Sequence, residues 1–373
     1  MMKIPGFTLS DAIAPSPWTF PSVSSYLTGL YPHKHGAVAH TDSNSDSFAM
    51  PKQTNEGKPL PILFEEHGYE TFAGYGFPMP FMATKSWFQS HRVYADANSE
   101  KVTDKYQSWR SDRERTFGYI HLGDVHAPIE IPDEYIKQRK VDTSIDQLKS
   151  FSKYTNNYNS NDENCRRYRK HRLRLYHAAI DYTLEVVKSL NNELENTTIF
   201  IFGDHGEAHW EFSDLDRKFT DSRPNYCCGH GGTPFDVVAR VPIGSTDSKL
   251  VPTGGRASLI DLPKTIASLI GKGDQYTGCN WKDPISTGRK VLCEGVRYGV
   301  ERKAIYCDTQ KIIVSKQDDV ILSSYIKDGK EQFDANEENE ELVSALPDDW
   351  EDSDPVGQTS KMVESQLRAL GYK

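Results

Sequence analysis

A carboxylate and an imidazole stand side by side in Gly203-Asp204-His205-Gly206-Glu207, directly after the apolar run 197–202. In a protein core both side chains would need polar partners, so packing alone explains them poorly. A glycine-flanked turn at the tip of a strand instead presents oxygen and nitrogen donors to a metal ion. We therefore predict that Asp204 and His205 are metal ligands at the end of a buried parallel strand.

A hydroxyl group near the N-terminus is the second feature with chemical potential. Segment 17–32 reads PWTFPSVSSYLTGLYP and predicts a loop that turns into a short helix, with Thr19 as N-cap, Pro21 in the first turn and Gly29 at the end. A helix N-terminus offers free N–H groups and partial positive charge, so it suits a phosphate or sulfate ester. An ordinary capped helix has the same pattern.

Two more histidines occupy places where ligands bind. The apolar run 117–122 predicts a strand, and His126 follows it in Gly123-Asp124-Val125-His126-Ala127-Pro128. Ligands of open α/β sheets bind at the carboxyl ends of strands. His230 lies in Gly229-His230-Gly231-Gly232, a loop that can approach a ligand closely. A loop histidine bonded to backbone, and a merely flexible loop, are the alternative readings of these two segments.

Composition argues against several classes of function. The 373 residues carry a net charge of −9, which argues against nucleic acid as a partner. No apolar run approaches the roughly 18 residues of a membrane span, and residues 1–10 lack the layout of a signal peptide. We therefore expect a cytoplasmic protein without a membrane span. The adjacent Cys227 and Cys228 are interpreted as plain buried side chains rather than metal ligands.

Helical and strand patterns alternate through most of the chain, which favours an α/β fold. The basic run 166–174 opens a long amphipathic helix, and we interpret the run as a solvated face rather than as a surface that steers an anionic substrate. The remaining expected elements are a loop at 41–55, a helix at 60–67 followed by a short strand, a strand within 235–243, a helix at 257–271, strands at 304–308, 311–315 and 320–325, a solvated acidic stretch at 328–354 and a helix at 361–370.

The order of these motifs resembles the sulfatase branch of the alkaline-phosphatase superfamily. The matching segments are Thr19-Phe20-Pro21-Ser22-Val23, Leu27-Thr28-Gly29-Leu30-Tyr31-Pro32, Asp124-Val125-His126-Ala127-Pro128, Asp204-His205-Gly206-Glu207, Gly229-His230-Gly231 and Asp261-Leu262-Pro263-Lys264-Thr265. The resemblance implies a three-layer α/β/α sandwich at 1–280, with a small C-terminal antiparallel-sheet subdomain of α+β type at 281–373. It also implies a metal-dependent hydrolase of sulfate or phosphate esters, acting on a small molecule or a glycan.

One departure from the family concerns the nucleophile. Sulfatases of the usual kind have Cys or Ser there, for oxidation to formylglycine, with Arg four residues later, whereas this chain has Thr19 and Val23. Threonine cannot give that aldehyde, so the hydroxyl itself is the expected nucleophile. The family pattern then implies one divalent metal ion, calcium, manganese or magnesium in preference to zinc, bound by Asp204, His205 and Thr19. His126 and His230 are expected to bind substrate oxygens or to protonate the leaving group.

The second departure concerns the start of the chain. The family opens with a central strand that carries acidic metal ligands, and we expect this strand to be missing, because the Thr19 segment arrives with no room for a hydrophobic strand before it. Two alternatives to a hydrolase stay open. One is a transferase of the phosphoglycerol or phosphoethanolamine type; the other is a catalytically inactive family member that binds an anion or a partner protein.

Overall fold

The computed structural model describes residues 4–41, 46–52, 56–223, 227–334 and 339–350. These residues form two compact units. The first unit comprises the described parts of Met1–Gly6 and Pro61–Thr197, and the second those of Phe7–Leu60 and Thr198–Lys373. The predicted subdomain boundary at residue 280 stays a prediction. The predicted helix at 361–370 lies outside the described residues.

Within the described residues, the strands are β1 (Thr8–Ile13), β2 (Val38–Thr41), β3 (Asp46–Ala49), β4 (Glu70–Tyr75), β5 (Ser90–Val93), β6 (Thr116–His121), β7 (Phe200–Phe202), β8 (Ala208–His209), β9 (Cys228–Gly229), β10 (Arg240–Ser245), β11 (Lys290–Cys293), β12 (Lys303–Cys307), β13 (Gln310–Ser315), β14 (Val320–Lys327) and β15 (Lys330–Phe333). The α-helices there are α1 (Thr19–Thr28), α2 (Pro32–His35), α3 (Leu60–Glu66), α4 (Pro78–Thr84), α5 (Ser99–Arg110), α6 (Asp133–Gln138), α7 (Glu163–Glu193), α8 (Ser213–Asp216), α9 (Asp236–Ala239), α10 (Leu262–Ala267) and α11 (Glu340–Ser344). None of these helices combines length with enough apolar character to cross a membrane.

The first unit is built on a parallel sheet with the strand order β5-β4-β6. Phe72 of β4 packs with Tyr106 of α5 and Leu190 of α7 in the core of the unit. The predicted strand at 117–122 and the long helix through 190 are confirmed as β6 and α7. Parallel strands with helical crossovers are the arrangement that alternating strand and helix patterns indicate.

The basic run at the start of α7 forms the predicted solvated face only in part: Arg166, Arg167 and Lys170 are exposed, whereas other members of the run hold the preceding loop. Arg172 is buried, and its Nη1 donates to the carbonyl oxygens of Leu148 and Lys149, at 3.1 Å each. Arg174 donates to the carbonyl of Lys140. Charge counting could not reveal this, because the acceptors are backbone groups that every loop offers.

The second unit contains the sheet β1-β10-β7, in which both pairings are antiparallel. Two expectations are corrected here. Strand β1 lies directly before the Thr19 segment, where no strand was expected, and β7 pairs antiparallel with β10, where a parallel strand was expected. Apolar runs identify strands without giving their direction. The short polar pattern Thr8-Leu9-Ser10-Asp11 is only partly buried, which hides it from a search for hydrophobic runs.

A five-stranded antiparallel sheet, in the order β11-β12-β13-β14-β15, also belongs to the second unit. It confirms the predicted strands at 304–308, 311–315 and 320–325, and with them the C-terminal antiparallel sheet. Two other segments differ from expectation. The loop predicted at 41–55 includes strand β3, which pairs with β2. The strand predicted within 235–243 begins as helix α9 and becomes β10 only at Arg240.

His35 gives the second unit a predictable response to pH. It is buried beside α1, where its Nδ1 accepts the Ala37 N–H at 2.9 Å and its Nε2 lies 2.8 Å from Ser25 Oγ. Burial lowers its pKa to about 3. The unfolded chain has a histidine pKa of about 6.5. Between about pH 3 and 6.5 it therefore binds a proton at His35 that the folded chain does not bind. The contribution of the neutral His35 ring to the free energy of unfolding is therefore complete above about pH 6.5 and is lost as the pH falls toward 3.

We expect the free energy of unfolding of the wild type to fall by up to about 1.4 kcal/mol per pH unit more steeply than that of His35→Gln below pH 6.5. Urea unfolding at pH 7.5, 6.0 and 5.0 measures both proteins. Other titrating groups are common to the pair, so the difference in slope isolates His35. Parallel pH profiles would contradict this assignment.

Candidate active site

Thr19 is the first residue of α1. The N-cap is Trp18, with extended dihedrals and no side-chain cap, so the prediction of Thr19 as N-cap is wrong. The Thr19 hydroxyl instead lies 3.1 Å from Nε2 of His205. Gly29 ends the helix in the left-handed conformation, as predicted, and its N–H donates to Ser25. The helix therefore fixes a nearly buried hydroxyl beside an imidazole.

The tight turn after β7 places Asp204 and His205. Ser22 of α1 donates its hydroxyl to the Asp204 carbonyl at 2.6 Å, which ties this turn to the helix that bears Thr19. The Gly206 N–H donates to Val238 at 2.7 Å, and a Cβ on Gly206 would clash with the Val237 carbonyl. A glycine is therefore required here, because the backbone of the turn passes against another backbone segment.

Hydrogen bonding determines the tautomer of His205. Its Nδ1 lies 2.8 Å from the Gly206 carbonyl, which can only accept, so Nδ1 carries the proton. Burial lowers the pKa of His205, which favours the neutral ring. Nε2 then has a free lone pair and accepts the hydrogen bond that Thr19 donates. The Thr19 hydroxyl is thus paired with a proton acceptor.

His230 is adjacent to this pair and is oriented by a carboxylate. The rings of His205 and His230 have centroids 4.4 Å apart. Nδ1 of His230 lies 2.9 Å from Oε2 of Glu207. Burial alone would raise the pKa of Glu207, but the charge and hydrogen bond of His230 outweigh it and hold the pKa at about 2. Glu207 therefore stays ionised and fixes the ring of His230.

The remaining predicted residue, His126, belongs to the first compact unit and is described within it. Its ring stacks on Phe77, with centroids 5.2 Å apart, and its backbone N–H donates to the Gly123 carbonyl. Asp124 of the same motif accepts the Ser99 N–H at 3.1 Å and thereby holds the start of α5. The structure brings together Thr19, Asp204, His205 and His230 in the second unit; the role of His126 stays a prediction.

The types of ligand atom around Thr19 suit a divalent cation. Oδ2 of Asp204 lies 3.6 Å from His205 Nε2, so a carboxylate oxygen, an imidazole nitrogen and the Thr19 hydroxyl converge. Carboxylate and hydroxyl oxygens suit calcium, magnesium and manganese, whereas an imidazole nitrogen is a ligand typical of transition metals. Among the residues described, no three His, Cys, Asp or Glu side chains group as a metal site. A cation here would have the hydroxyl as its third protein ligand.

The roles of two residues in the region of Thr19 are not apparent from the motifs. Glu207 was visible only as part of a motif, without its role toward His230. Arg297 comes from the C-terminal part of the chain, and its guanidinium carbon lies 5.4 Å from the ring centroid of Trp18. No local sequence signal links Arg297 to Thr19, because 277 positions separate Trp18 from the Gly295 carbonyl that its indole N–H contacts.

Comparison with known proteins places the chain among sulfatases by fold and family. No curated protein matches it by sequence. Solved structures are similar at low identity, and BT1596, a 2-O glycosaminoglycan sulfatase, has 13% identity and a TM-score of 0.57 over 97% of this chain and 84% of that one. BT4656, in complex with its substrate D-glucosamine-2-N,6-O-disulfate, has 13% identity and a TM-score of 0.56 over 85% of this chain and 83% of that one. Ps i-CgsB, in complex with k-i-k-neocarrahexaose, has 18% identity and a TM-score of 0.53 over 84% of this chain and 77% of that one.

These likenesses show a shared fold and confirm the mixed α/β class that the sequence indicates. The family model described as Sulfatase matches residues 2–272. That range contains Thr19, His126, the Asp204-His205 turn and His230. The chain belongs to the sulfatase family.

Proposed function

We propose that the chain hydrolyses sulfate or phosphate esters, with Thr19 as its nucleophile. The observation that carries the proposal is the 3.1 Å pair between the Thr19 hydroxyl and His205 Nε2. A hydroxyl activated by an adjacent base or by a metal ion is the basis of nucleophilic catalysis by Ser and Thr. Its position at the N-terminus of a helix suits the charge that develops on the ester oxygens.

The proposed reaction has two displacements. Oγ of Thr19 attacks sulfur or phosphorus and its proton passes to solvent, because His205 Nε2, 3.1 Å away, has a single lone pair and is a proposed ligand of the cation. The ester S–O or P–O bond breaks, and His230, oriented by Glu207, supplies a proton to the departing alcohol. Water then attacks the sulfo- or phospho-threonine, the bond to the Thr19 oxygen breaks, sulfate or phosphate is released, and a proton from the water returns to the Thr19 oxygen. His126 is proposed to bind substrate oxygens.

A divalent cation is part of the proposal, with Asp204, His205 and Thr19 as its protein ligands and water as the others. When bound, the cation would lower the pKa of the Thr19 hydroxyl and polarise the ester. Three protein donors, one of them a neutral hydroxyl, are fewer than calcium or zinc sites usually have. We therefore expect the cation to be weakly held.

Dialysis against a chelator is expected to abolish ester hydrolysis, and addition of manganese, calcium or magnesium to restore it. The measurement is release of 4-nitrophenol from 4-nitrophenyl sulfate and from the corresponding phosphate. Asp204→Asn, which removes the ligand charge, should raise the cation concentration for half-maximal activity by about tenfold or more. Full activity after chelation would contradict the cofactor proposal and leave His205 alone as the base.

For the substrate we propose a sulfated glycan. The support is the fold shared with BT4656, whose structure contains a disulfated glucosamine, and with Ps i-CgsB, whose structure contains a neocarrahexaose. Turnover of a panel of sulfated sugars, followed by ion chromatography of released sulfate, tests this substrate class. Release of phosphate from phosphomonoesters with no release of sulfate would instead favour the phosphate ester.

A further inference from the structure

The loop 294–302, which connects β11 to β12, is fixed against the residues around Thr19. The carbonyl of Gly295 accepts the indole N–H of Trp18 at 2.7 Å and the hydroxyl of Ser16 at 3.2 Å. The N–H of Glu294 donates to Pro15 at 2.9 Å. The loop is therefore bonded to the segment that leads directly into the nucleophile.

The partly buried carboxylate of Glu301 holds the loop in shape. Oε1 of Glu301 accepts the Gly295 N–H at 2.8 Å, and Oε2 accepts the Val296 N–H at 3.2 Å. A glutamate that bridges two successive N–H groups closes the loop on itself. Arg297 is the next residue, so its backbone position is determined before any ligand binds.

Arg297 also packs on the loop that carries His230. Its N–H donates to the Gly231 carbonyl at 2.8 Å. A Cβ placed on Gly231, which has a φ of +80°, would lie 2.9 Å from the ring of Tyr298 and 3.4 Å from Cβ of Arg297. The Gly231 N–H in turn donates to Pro17 at 2.8 Å. Arg297 thus lies where the Thr19 segment and the His230 loop meet.

The guanidinium of Arg297 is stacked on aromatic rings. Its central carbon lies 5.4 Å from the ring centroid of Trp18 and 5.0 Å from that of Tyr298. Stacking uses the faces of a guanidinium, whereas its N–H donors lie in its plane and match the geometry of carboxylates and sulfates. The side chain is partly exposed, and Trp18 is buried at 2% exposure.

The negative charge around Thr19 makes a positively charged side chain important for binding an anionic substrate. Asp204 and Glu207 bring carboxylates to the site, and these repel an anionic substrate. Two further arginines of this region bind backbone: Arg223, paired with Asp221, donates to the carbonyls of Cys228 and His230, and the buried Arg302 donates to the carbonyls of Thr220 and Tyr298. Arg223 thereby holds the His230 loop, and Arg297 is a partly exposed guanidinium of the same region.

We infer that Arg297 binds a second anionic group of the substrate, a sulfate or carboxylate next to the ester that Thr19 attacks. The inference rests on the proposed function and narrows it: the substrate class is a sugar that carries at least two anionic groups. Arg297 acts as a specificity residue for binding, because it is placed by a rigid loop beside the nucleophile and not on the nucleophile itself.

The test compares two probes that differ by one anionic group, D-glucosamine-2-N,6-O-disulfate and N-acetyl-D-glucosamine-6-O-sulfate. Calorimetry in a Thr19→Ala background measures binding without turnover. We expect Arg297→Ala to weaken binding of the disulfate about tenfold or more and to change binding of the monosulfate less than about twofold. Arg297→Lys keeps the charge and loses the planar donors, so its affinity for the disulfate should lie between those of the parent and of Arg297→Ala.

Arg256→Ala is the matched control, because the guanidinium of Arg256 also lies over a tyrosine ring, at 5.9 Å from the centroid of Tyr306. None of the described hydrogen bonds joins Arg256 to segment 17–32. It should leave both affinities unchanged. Equal effects of Arg297→Ala on the two probes, no effect on either, or binding of neither probe by the parent would overturn the inference. Failure of the proposed function shows separately, as absence of ester turnover by the protein with Thr19 intact.

Discussion

Replacing Thr19 with alanine is expected to lower kcat for ester hydrolysis by at least about a thousandfold. The alanine lacks the oxygen that attacks the ester, and the other side chains near His205 Nε2 offer no equivalent hydroxyl among the bonds described. The substrate still meets the helix N-terminus and His230, so we expect KM to change much less than kcat. Steady-state kinetics with 4-nitrophenyl sulfate measures both.

Two control variants separate chemistry from folding. Thr19→Ser keeps the hydroxyl and is expected to retain kcat within about tenfold. Thr28→Ala removes a hydroxyl from the other end of the same helix, where Oγ1 bonds the Ser24 carbonyl at 2.7 Å. It should cost stability and leave kcat unchanged. A wild-type kcat for Thr19→Ala would refute the proposed nucleophile.

Lys311→Met is expected to lower the free energy of unfolding by about 3 to 5 kcal/mol. Nζ of Lys311 lies 2.7 Å from Oε1 of Glu331, and both side chains are fully buried in the C-terminal sheet. Removing the ammonium leaves a buried carboxylate without its counterion, which costs far more than the loss of an exposed pair. Urea unfolding monitored by tryptophan fluorescence measures the change.

The double variant Lys311→Met with Glu331→Gln tests the cause. A glutamine oxygen can still accept the Asp236 N–H, which now donates to Glu331 at 2.7 Å, but it carries no charge. We expect the double variant to be more stable than Lys311→Met alone, because the buried charge is gone. A double variant that is less stable than the single one would contradict this account.

The sequence alone predicted the parts of the site that depend on local chemistry. Asp204 and His205 were identifiable because polar residues at the tip of an apolar strand demand partners. Gly29 was identifiable because a helix end needs a residue that tolerates positive φ, here 77°. The strand β6 and the helix α7 followed from periodicity. These signals lie within a few residues, so a single sequence contains them.

Features that depend on distant contacts could not be predicted. Trp18 is the N-cap residue instead of Thr19. Its indole binds the Gly295 carbonyl and the Thr19 hydroxyl contacts His205, and neither partner is near in sequence. The arginines of α7 bind backbone carbonyls of a loop, whereas composition reveals only their charge. The tautomer of His205 depends on the Gly206 carbonyl in a turn whose geometry no spacing rule gives.

The central claim is that Thr19 forms the covalent intermediate, and mass spectrometry of protein quenched in acid during turnover of 4-nitrophenyl sulfate tests it most directly. We predict that the peptide containing Thr19 gains about 80 Da, the mass of a sulfo group, and that fragmentation places it on the Thr19 oxygen. The same peptide from Thr19→Ala should remain unmodified. An adduct on any other residue, formed by wild type and Thr19→Ala alike, would contradict the account.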